Sequence, residues 1–80
     1  MNDTARLRWL CRRGMKELDV LLERYLEHRY PQAPEAEQRA FRALLDCQDP
    51  VLWDYVMEND RPQDEEMRNV IGKLVSALRD

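Results

Sequence analysis

Five segments of this chain repeat apolar side chains at the i, i+3, i+4 spacing of an α-helix, and none alternates with the period of two that a half-buried strand requires. That pattern confines the chain to an all-α fold. A first helix is expected over about residues 4–13, with Leu7, Leu10 and Cys11 on one side and Asp3 or Thr4 able to cap its first amides. Gly14 interrupts the same stripe. A residue without Cβ tolerates a left-handed backbone or the close approach of another segment, so a bend belongs there. The second helix carries Leu18, Leu21, Leu22, Tyr25 and Leu26, with Glu17 and Asp19 in the first turn where the macrodipole favours acids. It stops by Tyr30, because Pro31 disfavours helical geometry in the residue before it.

Pro34 suits the first position of a third helix, which presents Ala40, Phe41, Leu44 and Leu45, carries Glu35 and Glu37 near its N-terminus, and ends near Cys47. Asp49 followed by Pro50 is a start signal: the carboxylate caps free amides and proline takes a position that needs no donor. The fourth helix runs to about Glu58 and turns Leu52, Tyr55 and Val56 inward, with Trp53 off that stripe. Residues 59–63 read as a turn. A last helix from about Asp64 holds Met67, Val70, Ile71, Leu74, Val75 and Leu78 in register. Gly72 within it costs about 1 kcal/mol relative to Ala, which predicts tight packing as the reason for its presence. Five short helices with brief connections predict a small five-helix bundle.

A chain of 80 residues buries only about 60% of the surface its unfolded state exposes, so residues 1–80 are read as one domain with one core. Apolar residues at 44% and charged residues at 36% are enough of each for a folded, soluble helical protein. Apolar runs fall far short of the roughly 20 residues that span a bilayer, and the N-terminus lacks the apolar stretch of a secretory signal. The expectation is a cytoplasmic protein without membrane insertion. The net charge of −3 conceals an asymmetry: Arg6, Arg8, Arg12, Arg13 and Lys16 crowd the N-terminal part, while residues 31–80 lean acidic. Such a separation orients a protein partner during encounter. Nucleic acid is disfavoured, because phosphates would be repelled outside the basic segment.

Catalytic chemistry finds little support. There is one histidine, no Ser/His/Asp set, and only two glycines, which excludes a dinucleotide-binding fingerprint. Cys11 and Cys47 lie far apart with only His28 as a further soft ligand, so they read as small buried hydrophobes and not as a metal site. His28 itself sits near a helix C-terminus, where an imidazole complements the dipole. The informative stretch is Arg12-Arg13-Gly14-Met15-Lys16-Glu17-Leu18-Asp19. A glycine bend between two helices brings guanidinium and carboxylate groups to one edge, which a partner could use. Arg13 and Glu17 also have the i, i+4 spacing of an exposed ion pair worth about 0.3–0.5 kcal/mol, and the residues alone leave both readings open.

The same stretch, together with Ala5-Arg6, Trp9 and Cys11, contains an intact RGxxE pattern at Arg13, Gly14 and Glu17. A second segment comprises Phe41, Leu44-Leu45-Asp46-Cys47, Asp49-Pro50 and Leu52. With both at this separation the chain resembles the SdhE/YgfY family. The resemblance implies a five-helix bundle that acts as a chaperone for covalent FAD attachment to the flavoprotein subunit of succinate dehydrogenase, and in some members of fumarate reductase. It implies no catalytic residue, because the carbon–nitrogen bond forms between FAD and a histidine of the client. No cofactor is expected on the chain itself; FAD belongs to the client. Partner-binding residues are then Arg12, Arg13, Gly14, Glu17 and Asp19: the arginines meet acceptor groups, Gly14 lets backbone approach, and Glu17 pairs with a client base. The absence of a mitochondrial targeting extension implies a bacterial member. An antitoxin-like regulator of a toxin–antitoxin pair, also described among relatives, and a small nucleic-acid binder using helix one are the alternatives.

Overall fold

Each apolar stripe must be covered, and the helices cover one another. The structure, a computed structural model, describes residues 3–76. Its helices are α1 (Asp3–Leu10), α2 (Lys16–His28), α3 (Glu35–Leu45), α4 (Asp49–Val56) and α5 (Glu65–Ser76), with a single 3-10 turn at Tyr30–Gln32 between α2 and α3. Among the described residues there is no strand, and the fold is all-α. No helix among them is long and apolar enough to cross a membrane. α5 lies chiefly along α3 and touches α2 and α4, while α1 leans on α2.

The inward residues of α2 and α3 are those that helical spacing selects: Leu18, Leu21, Leu22, Tyr25 and Leu26 from one, Ala40, Phe41, Leu44 and Leu45 from the other. Leu7, Cys11, Leu52, Val56, Val70, Ile71 and Leu74 complete one contiguous cluster. Full burial of each leucine contributes about 1.5–3 kcal/mol, so this cluster supplies the main stabilising term. Phe41 is its aromatic centre, with the Tyr25 ring 4.5 Å away and the Tyr30 ring 5.5 Å away, both tilted. Tyr30 is held in turn by α3: Gln38 Nε2 donates to its carbonyl at 2.7 Å and Arg42 Nη1 to its hydroxyl at 2.8 Å.

Several local expectations are corrected. α1 ends at Leu10 and not near residue 13, because the chain tightens there: Cys11 N reaches Leu7 O and Arg8 O, and Arg12 N reaches Trp9 O. The Arg13 amide then leaves the helical ladder for the Asp19 carboxylate at 2.8 Å. Pro34 flanks α3 as its N-cap residue, and Glu35 is the first helical one. Asp49 does not cap α4; Gln48 stands at that position without a side-chain bond, and the Asp49 carboxylate is drawn to Arg13. α4 stops at Val56, two residues early, because Glu58 takes a positive φ of 64° and the Asn59 amide turns back to Asp54 O. Tyr55 is half-buried, and Trp53 packs against the rim of the core. Asp64 caps α5 through Met67 N at 3.1 Å.

Gly72 is not tightly packed. A Cβ placed there meets nothing within 4 Å, and the residue is exposed. The Asp3 side chain, named as a cap, and Leu78, named on the last stripe, lie outside the described part of the chain.

Candidate functional site

The chain changes course between α1 and α2 over residues 11–15. Gly14 sits at φ +89° with open space where a Cβ would be, so it is needed for its backbone conformation and not for close packing within the chain. Met15 is extended and begins α2 without a side-chain cap. Asp19, in the first turn of α2, accepts from the Arg13 amide and thereby staples the loop to the helix that follows it.

Arg13 is turned inward. Its side chain is only 11% exposed, and its guanidinium reaches three separate places. Nη1 donates to Leu10 O at the end of α1 at 3.2 Å. Nη2 donates to Cys47 O in the α3–α4 connection. Nε lies 3.0 Å from Asp49 Oδ1 in the first turn of α4. That last contact is a charge pair without an aligned hydrogen bond, since the buried Nε–H has no acceptor along its axis. The i, i+4 pair with Glu17 does not form; Asp49 takes its place. One planar fork thus joins the two segments that carry the sequence pattern.

The neighbours of Arg13 face out. Arg12, Gly14, Lys16 and Glu17 are exposed, and Asp19 is half-buried by its bond to the loop. Trp9, one turn before Arg12, is 71% exposed, more than any other large apolar residue among the described residues. The five residues read from the sequence as an edge therefore divide. Arg12, Gly14 and Glu17 form an outer rim, while Arg13 and Asp19 shape it from beneath. Trp9 belongs to the same end of α1, and its failure to match the Leu7, Leu10, Cys11 stripe was the available signal.

The thiols flanking the hinge are quiet. Burial pushes Cys11 up to about 12, and the Glu23 carboxylate adds to that. Cys47 is likewise raised by burial, with the Arg13 guanidinium opposing in part. Both are free thiols and stay protonated near neutral pH, which suits small packing residues better than nucleophiles.

A second polar cluster lies in the body of the bundle. Glu37, on α3, is the buried charged residue of the core at 4% exposure. The Tyr25 hydroxyl donates to it at 2.6 Å, and Lys73 of α5 donates to its other oxygen. Burial alone would raise the Glu37 carboxyl, but the bonds from Lys73 and Tyr25 outweigh it and the pKa is lowered. Sequence reading saw in Glu37 only a charge favoured by the helix dipole. The missed signal is that Glu37 stands four and seven residues before Phe41 and Leu44, on the inward face.

Comparison with known proteins places the chain in a family. The family described as flavinator of succinate dehydrogenase matches residues 5–77. The FAD assembly factor SdhE of Idiomarina loihiensis is 39% identical over 79 residues, covering 99% of this chain and 88% of its own. The protein of the same name from Coxiella burnetii is 41% identical over 71 residues, 89% of this chain and 87% of its own. That of Yersinia pseudotuberculosis is 38% identical over 77 residues, 96% and 86%. The likeness therefore takes in the hinge and the α3–α4 connection together.

Proposed function

The chain belongs to the family of succinate dehydrogenase flavinators, and from that membership we propose that it is an FAD assembly factor, a non-enzymatic helper of the succinate dehydrogenase flavoprotein subunit. It docks on that client through the rim at the α1–α2 hinge and promotes covalent attachment of FAD; the fumarate reductase flavoprotein is a second client. FAD is the client's cofactor, and the client's own histidine forms the carbon–nitrogen bond.

The observation that carries this reading is the division of labour at the hinge. Arg13 and Asp19 hold the loop to α1, α2 and the α3–α4 connection, so Arg12, Gly14 and Glu17 are presented from a braced backbone. A rim held in advance loses less conformational freedom on binding. Trp9 adds an exposed indole beside Arg12, and Trp and Arg are the residue types that dominate binding energy at interfaces. Arg12 supplies donors to client acceptors, Glu17 pairs with a client base, and Gly14 leaves room for client backbone. The helper acts by binding the client conformation in which flavin and histidine are aligned, since a ligand shifts an equilibrium only through differential affinity. Alignment removes part of the entropic barrier.

The test is to express the matching flavoprotein subunit with and without this chain, denature it, and measure flavin fluorescence that remains with the polypeptide. Retained fluorescence should depend on the chain. Equal labelling in its absence refutes the proposal.

A further inference from the structure

Helix α2 sorts its charges onto two sides. Glu27 accepts from Arg8 at 3.3 Å, and Glu23 acts electrostatically on Cys11, so both acids look towards α1. Arg24 and His28, each one position further along, and Arg29 border a hollow of about 220 Å³ between α2 and α5. Lys73 closes it from the other side, over a floor that includes Tyr25 and Leu74. No carboxylate lines this hollow.

Three of the four basic side chains around it are unbonded. Among the described residues the side chains of Arg24, His28 and Arg29 make no hydrogen bond or ion pair. Lys73 donates one N–H to Glu37, is one-third exposed, and has two more donors to offer. Because Glu37 is itself held by Tyr25, the ammonium is positioned in advance of any ligand. The helix dipole accounts for basic groups in the last turn of α2. It does not account for Arg24 a turn earlier, nor for Lys73 on a different helix. The one carboxylate beside the cluster, Glu37, is bonded to Lys73 and also acts on Arg29, which leaves the cations in excess of it, and like charges in excess favour an anionic ligand.

We propose that this hollow binds a small multivalent oxyanion of the phosphate class. Arg24, Arg29 and Lys73 against the single Glu37 carboxylate leave an excess of positive charge, and arginine forks match phosphate oxygens two at a time. The volume falls below the roughly 300–1,000 Å³ of pockets for drug-sized ligands, which suits a phosphate or diphosphate group. Its α2 cations Arg24 and His28 stand about 10 and about 16 Å beyond Glu17 along the helix axis, so the site is separate from the client rim and does not rest on it.

The test is a proton–nitrogen NMR titration of the full chain at low ionic strength with sodium pyrophosphate, against a sodium chloride series of equal ionic strength, followed by FAD. Pyrophosphate should produce saturable shifts at residues 24–29 and at Lys73. Affinity should fall about tenfold in Arg24→Gln and in Arg29→Gln, the loss expected for one charge-assisted contact. It should be unchanged in Arg61→Gln, which borders a different groove. Each altered side chain is exposed and unpaired, and the spectra themselves report that the fold is kept. The same shifts with FAD identify a nucleotide diphosphate as the source; a response to pyrophosphate without one to FAD identifies a free anion. Shifts that follow ionic strength equally in both salts, or that persist in the Arg24→Gln/Arg29→Gln double variant, overturn the proposal.

Discussion

Arg13 and Glu37 are both charged and both withdrawn from solvent, yet they are held in different ways. Glu37 is met by two side chains from the bodies of other helices, Tyr25 of α2 and Lys73 of α5. Arg13 is met mainly by carbonyls where helices end, Leu10 O and Cys47 O, with the half-exposed Asp49 beside them. The first arrangement joins helix to helix in the interior of the fold. The second joins ends and loops, and it leaves Arg12, Gly14 and Glu17 outside on a braced surface. A buried charge is therefore no sign of function by itself. What distinguishes the hinge is the set of groups that its buried charge leaves exposed.

The comparison can be broken by substitution. The largest effect is expected for Lys73→Met, which strands the Glu37 carboxylate and should cost about 3 kcal/mol in urea unfolding. Adding Glu37→Gln should restore part of that loss, as a double-mutant cycle would record. The pH dependence has a definite sign. The folded Glu37 carboxyl lies below its ordinary 4.5, so its contribution is complete above that value and is lost as pH falls through the lowered pKa. In Lys73→Met the acid-side loss of melting temperature should shrink; an unchanged profile would remove Glu37 from the account.

Arg13→Ala comes next, at about 2 kcal/mol, since its partners lie nearer to solvent and water can replace part of the fork. It should lower flavin attachment together with stability. Arg13→Lys should fail to restore either, because an ammonium cannot span the same acceptors. The two glycines should then move in opposite directions by about 1 kcal/mol each. Gly14→Ala destabilises through its positive φ, and Gly72→Ala stabilises a helix interior where nothing obstructs a methyl group. The smallest effect on stability, within about 0.5 kcal/mol, belongs to Arg12→Glu and Glu17→Lys. These should nonetheless abolish the flavin retention on the client that depends on this chain. If they leave it intact, the rim is not the docking edge.

Much of the bundle was legible in the sequence. The stripes of α2, α3 and α5 could be read residue by residue, because which side chains share a helix face depends only on local spacing. The bend at Gly14 was equally local. Where helices stop was less legible: α1 ends three residues early where the Arg13 amide turns to the Asp19 carboxylate, and α4 stops at Val56, two residues before a left-handed glutamate that no propensity would select. The position of the candidate site could be read from Arg13, Gly14 and Glu17, but its orientation could not. Local spacing offered Glu17 as the partner of Arg13, whereas the structure supplies Cys47 and Asp49 from another junction.

By itself the sequence determined an all-α chain of five helices, its inward faces and its hinge, since backbone preference and i, i+4 proximity act over a single turn. Tertiary structure alone decided which charges would be enclosed and which would remain on the rim. An ion leaves water only when a partner arrives within hydrogen-bonding distance, and for Arg13 and Glu37 those partners come from helices far along the chain.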